Sequence, residues 1–389
     1  MARKLWAKRG LAALATGTMA VSLAACGGGG AGAGGGGDDA GDGEAGGLVG
    51  VAMPTETYER WIADGDAVKT GLEGAGYDVD LQFAGDNIPT QQQQIEAMIN
   101  KGAEALIIAS IDGTALGSQL EAAAAADIPV ISYDRLIRDS ENVDFYVTFD
   151  NYNVGVQQGT SLLQGLGVLD ENGEEAGDAP EGPFNVELFA GSPDDNNAGF
   201  FYDGAMEVLQ PYLDDGTLVV PSEQMDFNTV AIQRWEQERA QSRMDDLLTS
   251  TYTGSDETID GVLAPADVLS RGIITALQNS GYGKGDLDMP IVTGQDAEAA
   301  SAKLIEEDVQ YSTIFKDTRL LAEQAVVATT SYLEGEEPEA NDTETYDNGV
   351  KVVPSYLLDS VVVTKDNLEA ELIDSGYLTE DEVASGQTD

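Results

Sequence analysis

The residues best suited to chemistry in this 389-residue chain sit in short clusters, each following an apolar run. The clearest is Ile128–Arg138, IPVISYDRLIR, where an apolar stretch stops at an adjacent acid and base, Asp134 and Arg135. A carboxylate accepts hydrogen bonds and a guanidinium donates them in a fixed fork, so the two could grip a neutral polyol from two sides. An isolated pair of this kind reads most simply as a solvated ion pair at a strand end. This one is not isolated. Glu59-Arg60-Trp61, Ile111-Asp112-Gly113, Pro193-Asp194-Asp195-Asn196-Asn197, Ala266-Asp267, Gln295-Asp296 and Phe315-Lys316-Asp317 follow other apolar runs. Each alone would serve as an N-cap or a turn, since Asp and Asn favour both. Their repetition at strand ends points to convergence on one cleft.

The chemistry of the set is coherent. Carboxylates and amides supply acceptors and donors, Arg and Lys supply charged donors, and Trp supplies a flat apolar face. A sugar presents the complement: hydroxyls that donate and accept, around a ring with apolar C–H faces. A site built to pair those hydroxyls is left with unpaired buried groups when one is missing. Acids outnumber bases among the candidates, which disfavours a phosphate or carboxylate ligand.

Much catalytic inventory is absent. The chain has no histidine and one cysteine, Cys26. That removes the commonest general base, imidazole and cysteine metal sites, and any intrachain disulfide, and neither metal nor cofactor is expected. There is no G-x-S-x-G, no G-x-x-x-x-G-K-[ST] and no H-E-x-x-H. Gly281-Tyr282-Gly283-Lys284-Gly285 leads into a strand, whereas a phosphate loop must open a helix. A formal net charge of −51 repels nucleic acid and anionic membranes and suits a soluble extracellular protein.

The elements that position these clusters follow from patterning. Residues 1–25 carry Arg3, Lys4, Lys8 and Arg9 and then an apolar run, a secretory leader. It ends Leu23-Ala24-Ala25-Cys26, which resembles the bacterial lipobox, whose cysteine is lipidated. Residues 26–47 are rich in Gly, Ala, Asp and Glu and form a flexible acidic tether. From Leu48 strands alternate with helices: strands at 48–53, 77–83, 104–110, 128–133 and 143–149, then from Asn151 a second series with strands at 184–190, 218–220, 261–264, 290–293 and 310–315. Helices intervene, among them Trp235–Leu248, and 351–358 and 361–363 read as terminal strands. The length favours two domains, and the alternation indicates an α/β fold of two doubly wound parallel-sheet lobes.

From Leu48 to about Leu378 the chain resembles the type I periplasmic sugar-binding proteins, nearest the D-xylose-binding and ChvE-like multiple-monosaccharide groups. The motifs carrying it are Glu59-Arg60-Trp61, QIEAMINKG (94–102), ISYDRLI (131–137), FDN (149–151), GSPDDNNA (191–198), GQDA (294–297) and FKD (315–317). The resemblance implies a pyranose clamped between lobes joined by a three-crossing hinge, the first lobe being 48–150 with 317–352 and the second 151–316 with 353–389. It implies that Arg60 donates to hydroxyls, and that Asp134 and Arg135 bind hydroxyls and the ring or anomeric oxygen. Asn197, with Asp194 or Asp195, answers from the second lobe; Asp296 accepts from a hydroxyl pair and Lys316 donates at the hinge. Trp235 matches the stacking tryptophan and Trp61 covers the other face. Relatives carry Asn before the acid matching Asp267; here Ala266 stands there, so Asp267 or water replaces it, which favours tolerance of several aldoses.

The function so implied is a monomeric extracytoplasmic receptor, lipid-anchored through Cys26 at the outer face of the membrane, that delivers an aldopentose or aldohexose to the permease of an ABC importer. A sensor presenting its closed form to a membrane kinase is the alternative, ahead of a glycosidase using Asp134 and Asp296. A sugar-responsive repressor is opposed by the leader and the lack of a helix-turn-helix.

Overall fold

Period-two alternation decides where the first sheet sits. Val49, Val51 and Met53 of strand β1 (Gly46–Met53) enter one core, while Ala52 enters the core on the opposite face. Strand β3 (Ala103–Ile108) does the same, with Ala105 and Ile107 on one side and Leu106 and Ile108 on the other. Strand β5 (Phe145–Phe149) splits Phe145, Val147 and Phe149 from Tyr146. Strands apolar on both faces must be covered on both, as in parallel sheets wrapped by helices.

The computed structural model describes residues 46–255, 257–285 and 287–388. The expectations for the leader, for Cys26 and for nearly all of the tether lie outside the described residues. With β2 (Tyr77–Phe83), β4 (Val130–Tyr133) and β11 (Ser355–Leu358), the first sheet has the order β11-β5-β4-β3-β1-β2, parallel throughout. A second parallel sheet, β7 (Leu218–Val219), β6 (Phe184–Leu188), β8 (Gly261–Leu263) and β9 (Ile291–Val292), forms the other lobe. Beyond β9, a parallel bridge between Gln295 and Ile314 leads on to β10 (Ser312–Phe315), which pairs with β12 (Val361–Thr364).

Two expectations are corrected here. The second lobe is expected to resume at residue 353, but Ser355–Leu358 (β11) pairs with β5 from Ser355↔Tyr146 to Leu358↔Phe149 and so completes the first sheet. And β12 runs antiparallel to β10, so this edge is not parallel. The chain therefore crosses between the sheets after β5, after β10 and after β11. After the second crossing, helix Thr318–Glu334 returns to pack on helix Glu59–Gly74 and on β3, β4 and β5 of the first lobe. Strand carboxyl ends of both sheets face the crossings, where an open α/β fold receives its ligand.

Candidate functional site

The end of β4 is shaped by Asp134, whose φ of 59° lies in the left-handed region. Asp and Asn tolerate that region better than other non-glycine residues. The turn is held by its own backbone: Asp134 N donates to Val147 O at 2.8 Å. Asp134 O accepts from Asn197 Nδ2 at 2.6 Å, Tyr146 Oη at 2.7 Å and Thr148 Oγ1 at 3.0 Å. Asn197 comes from the other lobe, so one carbonyl ties the lobes together.

The carboxylate of Asp134 meets Arg60 Nη2 at 2.9 Å. Arg60 also reaches Asp64 Oδ2 at 3.1 Å and Asp296 Oδ1 at 3.3 Å, and Lys316 Nζ lies 2.9 Å from the same Asp296 oxygen. Burial alone would raise the Asp134 carboxyl, but Arg60, then Lys316 and Arg135, hold it below the usual carboxylate range. Asp64 is more deeply enclosed, and burial pushes it up to about 6 against the pull of Arg60. Arg135 turns away from its neighbour: its Nε lies 3.3 Å from Asp195 Oδ2 of the second lobe. The guanidiniums of Arg60 and Arg135 sit 4.5 Å and 5.1 Å from the Trp61 ring centroid, a cation–π arrangement. Trp61, expected as a cover for the sugar ring, lies against both arginines.

On the second lobe, Asp195 caps helix Asn196–Asp214 by accepting from Asn197 N at 3.0 Å, and its other oxygen accepts from Trp235 Nε1 at 3.3 Å. Burial raises the Asp195 carboxyl, with Arg135 opposing. The sequence pattern puts Trp235 at the start of a helix; instead the helix begins at Gln237, and Arg234 and Trp235 adopt φ values of 61° and 56°. This left-handed pair folds the indole back over Gly191. A Cβ at Gly191 would stand 2.0 Å from the Trp235 ring, so only glycine leaves room there.

Nine expected residues line one cavity between the lobes: Arg60, Trp61, Asp134, Arg135, Asp195, Asn197, Trp235, Asp296 and Lys316. Two do not. The Asp194 carboxylate accepts from Ser192 Oγ, and its carbonyl accepts from Arg138 Nη2 at 3.2 Å. Asp267, fully buried, accepts from Gln310 Nε2 at 2.8 Å and from Glu298 N and Thr313 Oγ1 at 3.0 Å each, so its carboxylate is consumed inside the lobe. Asp267 therefore does not stand in for the amide missing at Ala266, which itself lines the cavity.

Tyr58, Phe201, Val268 and Glu298 also line the cavity and were not anticipated. Tyr58 precedes the Glu59-Arg60-Trp61 cluster and Phe201 lies one helical turn beyond Asn197, so proximity to named clusters was the available signal. Glu298 is paired by Arg271 Nη2 at 2.5 Å, while burial raises its carboxyl.

Three cations and four carboxylates thus face one cavity with two indoles and the amides of Asn197 and Gln295. Such a lining pairs with neutral hydroxyls and carries no excess of positive charge for an anion. Among the described residues no group of acids could hold a metal ion.

Residues 49–337 match the family described as periplasmic binding protein domain. The chain is 53% identical over 337 residues to the multiple sugar-binding periplasmic receptor ChvE of Rhizobium radiobacter, across 87% of this chain and 92% of that one. It is 35% identical over 335 residues to the D-xylose-binding periplasmic protein of Escherichia coli strain K12, across 86% and 92%. A solved ABC transporter solute-binding protein of Clostridium phytofermentans with bound β-D-glucose is 45% identical, with a TM-score of 0.80 across 86% of this chain and 99% of that one.

Proposed function

The chain belongs to the periplasmic binding protein family, and from that premise we propose that it is an extracytoplasmic receptor that closes on one neutral monosaccharide and delivers it to the permease of an ABC importer. The observation that carries the reading is the shared lining: Arg60, Asp134 and Arg135 of one lobe and Asp195, Asn197 and Asp296 of the other face a single cavity. A ligand touching both sets favours the closed arrangement, because only there are both in reach. In that arrangement the ligand's hydroxyls accept from Arg60, Arg135 and Lys316 and donate to Asp134, Asp195 and Asp296. Trp235 supplies the apolar face. No bond is made or broken; the carboxylates orient the ligand and do not attack it.

The finer parts of the reading are that the receptor works as a monomer held to the outer face of the membrane by lipid on Cys26, with lobes divided near residues 150, 316 and 359. Selectivity among aldoses is relaxed, because Ala266 offers no side-chain hydrogen bond where it lines the cavity.

A thermal-shift screen of aldopentoses and aldohexoses tests the function. A ligand that binds only the folded state raises the melting temperature by mass action. D-Glucose, D-galactose, D-xylose or L-arabinose should each raise it, and failure of every aldose to do so would overturn the reading.

A further inference from the structure

Behind the cavity lies a buried pair that does not line it. Asp64 sits on helix Glu59–Gly74 four residues after Arg60, on the same helix face, and is wholly buried. Its Oδ2 takes both Nε and Nη2 of Arg60, each at 3.1 Å. Its Oδ1 accepts from the hydroxyl of Tyr133, the last residue of β4 and also wholly buried. A guanidinium pinned along its Nε edge can no longer rotate about its long stem. Its remaining donors are then directed outward, to Asp134 Oδ2 at 2.9 Å and Asp296 Oδ1 at 3.3 Å, the two carboxylates that line the cavity.

We propose that Asp64, braced by Tyr133, is a positioning residue that fixes the plane of the Arg60 guanidinium and thereby decides which ligand hydroxyl the receptor reads. The inference rests on the sugar-receptor reading above. Its physical basis is preorganisation. An arginine side chain carries much rotamer entropy, and a site in which that freedom is already lost gives up less on binding. A purely structural Asp64 would neutralise a buried cation and affect all ligands alike. A positioning Asp64 affects the one hydroxyl that Arg60 contacts.

That difference supplies the test. Affinities are measured by calorimetry for the tightest-binding aldose and each of its monodeoxy analogues, first with the unaltered protein and with Arg60→Ala. The hydroxyl whose removal no longer weakens binding in Arg60→Ala is the one Arg60 contacts. Asp64→Asn should then shrink the penalty for that same deoxy analogue about tenfold and leave the other penalties within twofold. Tyr133→Phe, which removes only the brace, should shrink it in the same direction by a smaller factor, and it keeps the test open should Asp64→Asn fail to fold. Penalties unchanged at every position, or reduced evenly across all of them, would overturn the positioning role while leaving the receptor reading intact. Absence of binding by any aldose to the unaltered protein would overturn both.

Discussion

Asp134 and Arg135 are neighbours in the chain but pair in opposite directions. Asp134 meets Arg60 of its own lobe at 2.9 Å, and Arg135 meets Asp195 of the other lobe at 3.3 Å. The left-handed turn at Asp134 separates them, so the strand end contributes an acceptor and a donor with independent supports. Replacing Arg135 with Lys keeps the charge but loses the planar fork and the stacking on Trp61. Arg135→Lys is expected to weaken aldose binding about tenfold, ~1.4 kcal/mol, chiefly through faster release, as read by stopped-flow tryptophan fluorescence.

Gly191→Ala should act on the site without touching a polar group. The added Cβ would stand 2.0 Å from the Trp235 ring, so the indole must move out of the cavity wall. Overpacking of this kind costs about 1–3 kcal/mol. A lower melting temperature together with weaker aldose binding is expected; unchanged affinity would show that Trp235 does not contact the sugar.

Asp267 gives the opposite pattern. Asp267→Ala leaves the Thr313 hydroxyl and Glu298 N unpaired in the interior and takes from Gln310 Nε2 one of its two acceptors, the other being Ser312 O. Stability should fall by about 2–4 kcal/mol in denaturant melts, with aldose affinity within threefold of the unaltered protein.

The buried Asp64 predicts a pH signature in stability. Its folded pKa is raised, to about 6 against an ordinary 3.8, so between those values the folded state binds more protons than the unfolded one. Its contribution is therefore fully present below about pH 4 and is lost as pH rises through about 6. Compared with Asp64→Asn, which does not titrate there, the unaltered protein should lose roughly 1–3 kcal/mol of relative stability between pH 4 and pH 7. Denaturant melts of both proteins across that range check the sign; a relative gain with rising pH would contradict it.

Much of the site could be read from residue order. The acid–base step after β4, the Arg60-Trp61 pair and the Asp195–Asn197 cap are all local patterns at element ends, where an α/β fold gathers its ligand contacts. What escaped depends on distant partners. Whether Asp267 faces the cavity or the interior is decided by donors from Gln310 and Thr313, more than 40 residues away. The placement of β11 beside β5 rests on pairing across about 200 residues, which no window of apolar periodicity contains. Trp235 carries a positive φ without glycine, so propensity favours a helix that the chain delays until Gln237.

The most direct measurement is titration calorimetry of D-glucose and D-xylose against the unaltered protein and Asp134→Ala. Asp134 receives Arg60 directly and lines the cavity, so its removal takes an acceptor from the proposed site and leaves Arg60 short of a partner. Truncating one member of a buried charge pair costs about 2–5 kcal/mol. The expected result is one sugar per chain for the unaltered protein and at least a hundredfold loss of affinity in the variant, ~2.7 kcal/mol. Equal affinity in the two proteins would contradict a sugar site between Asp134 and Asp296.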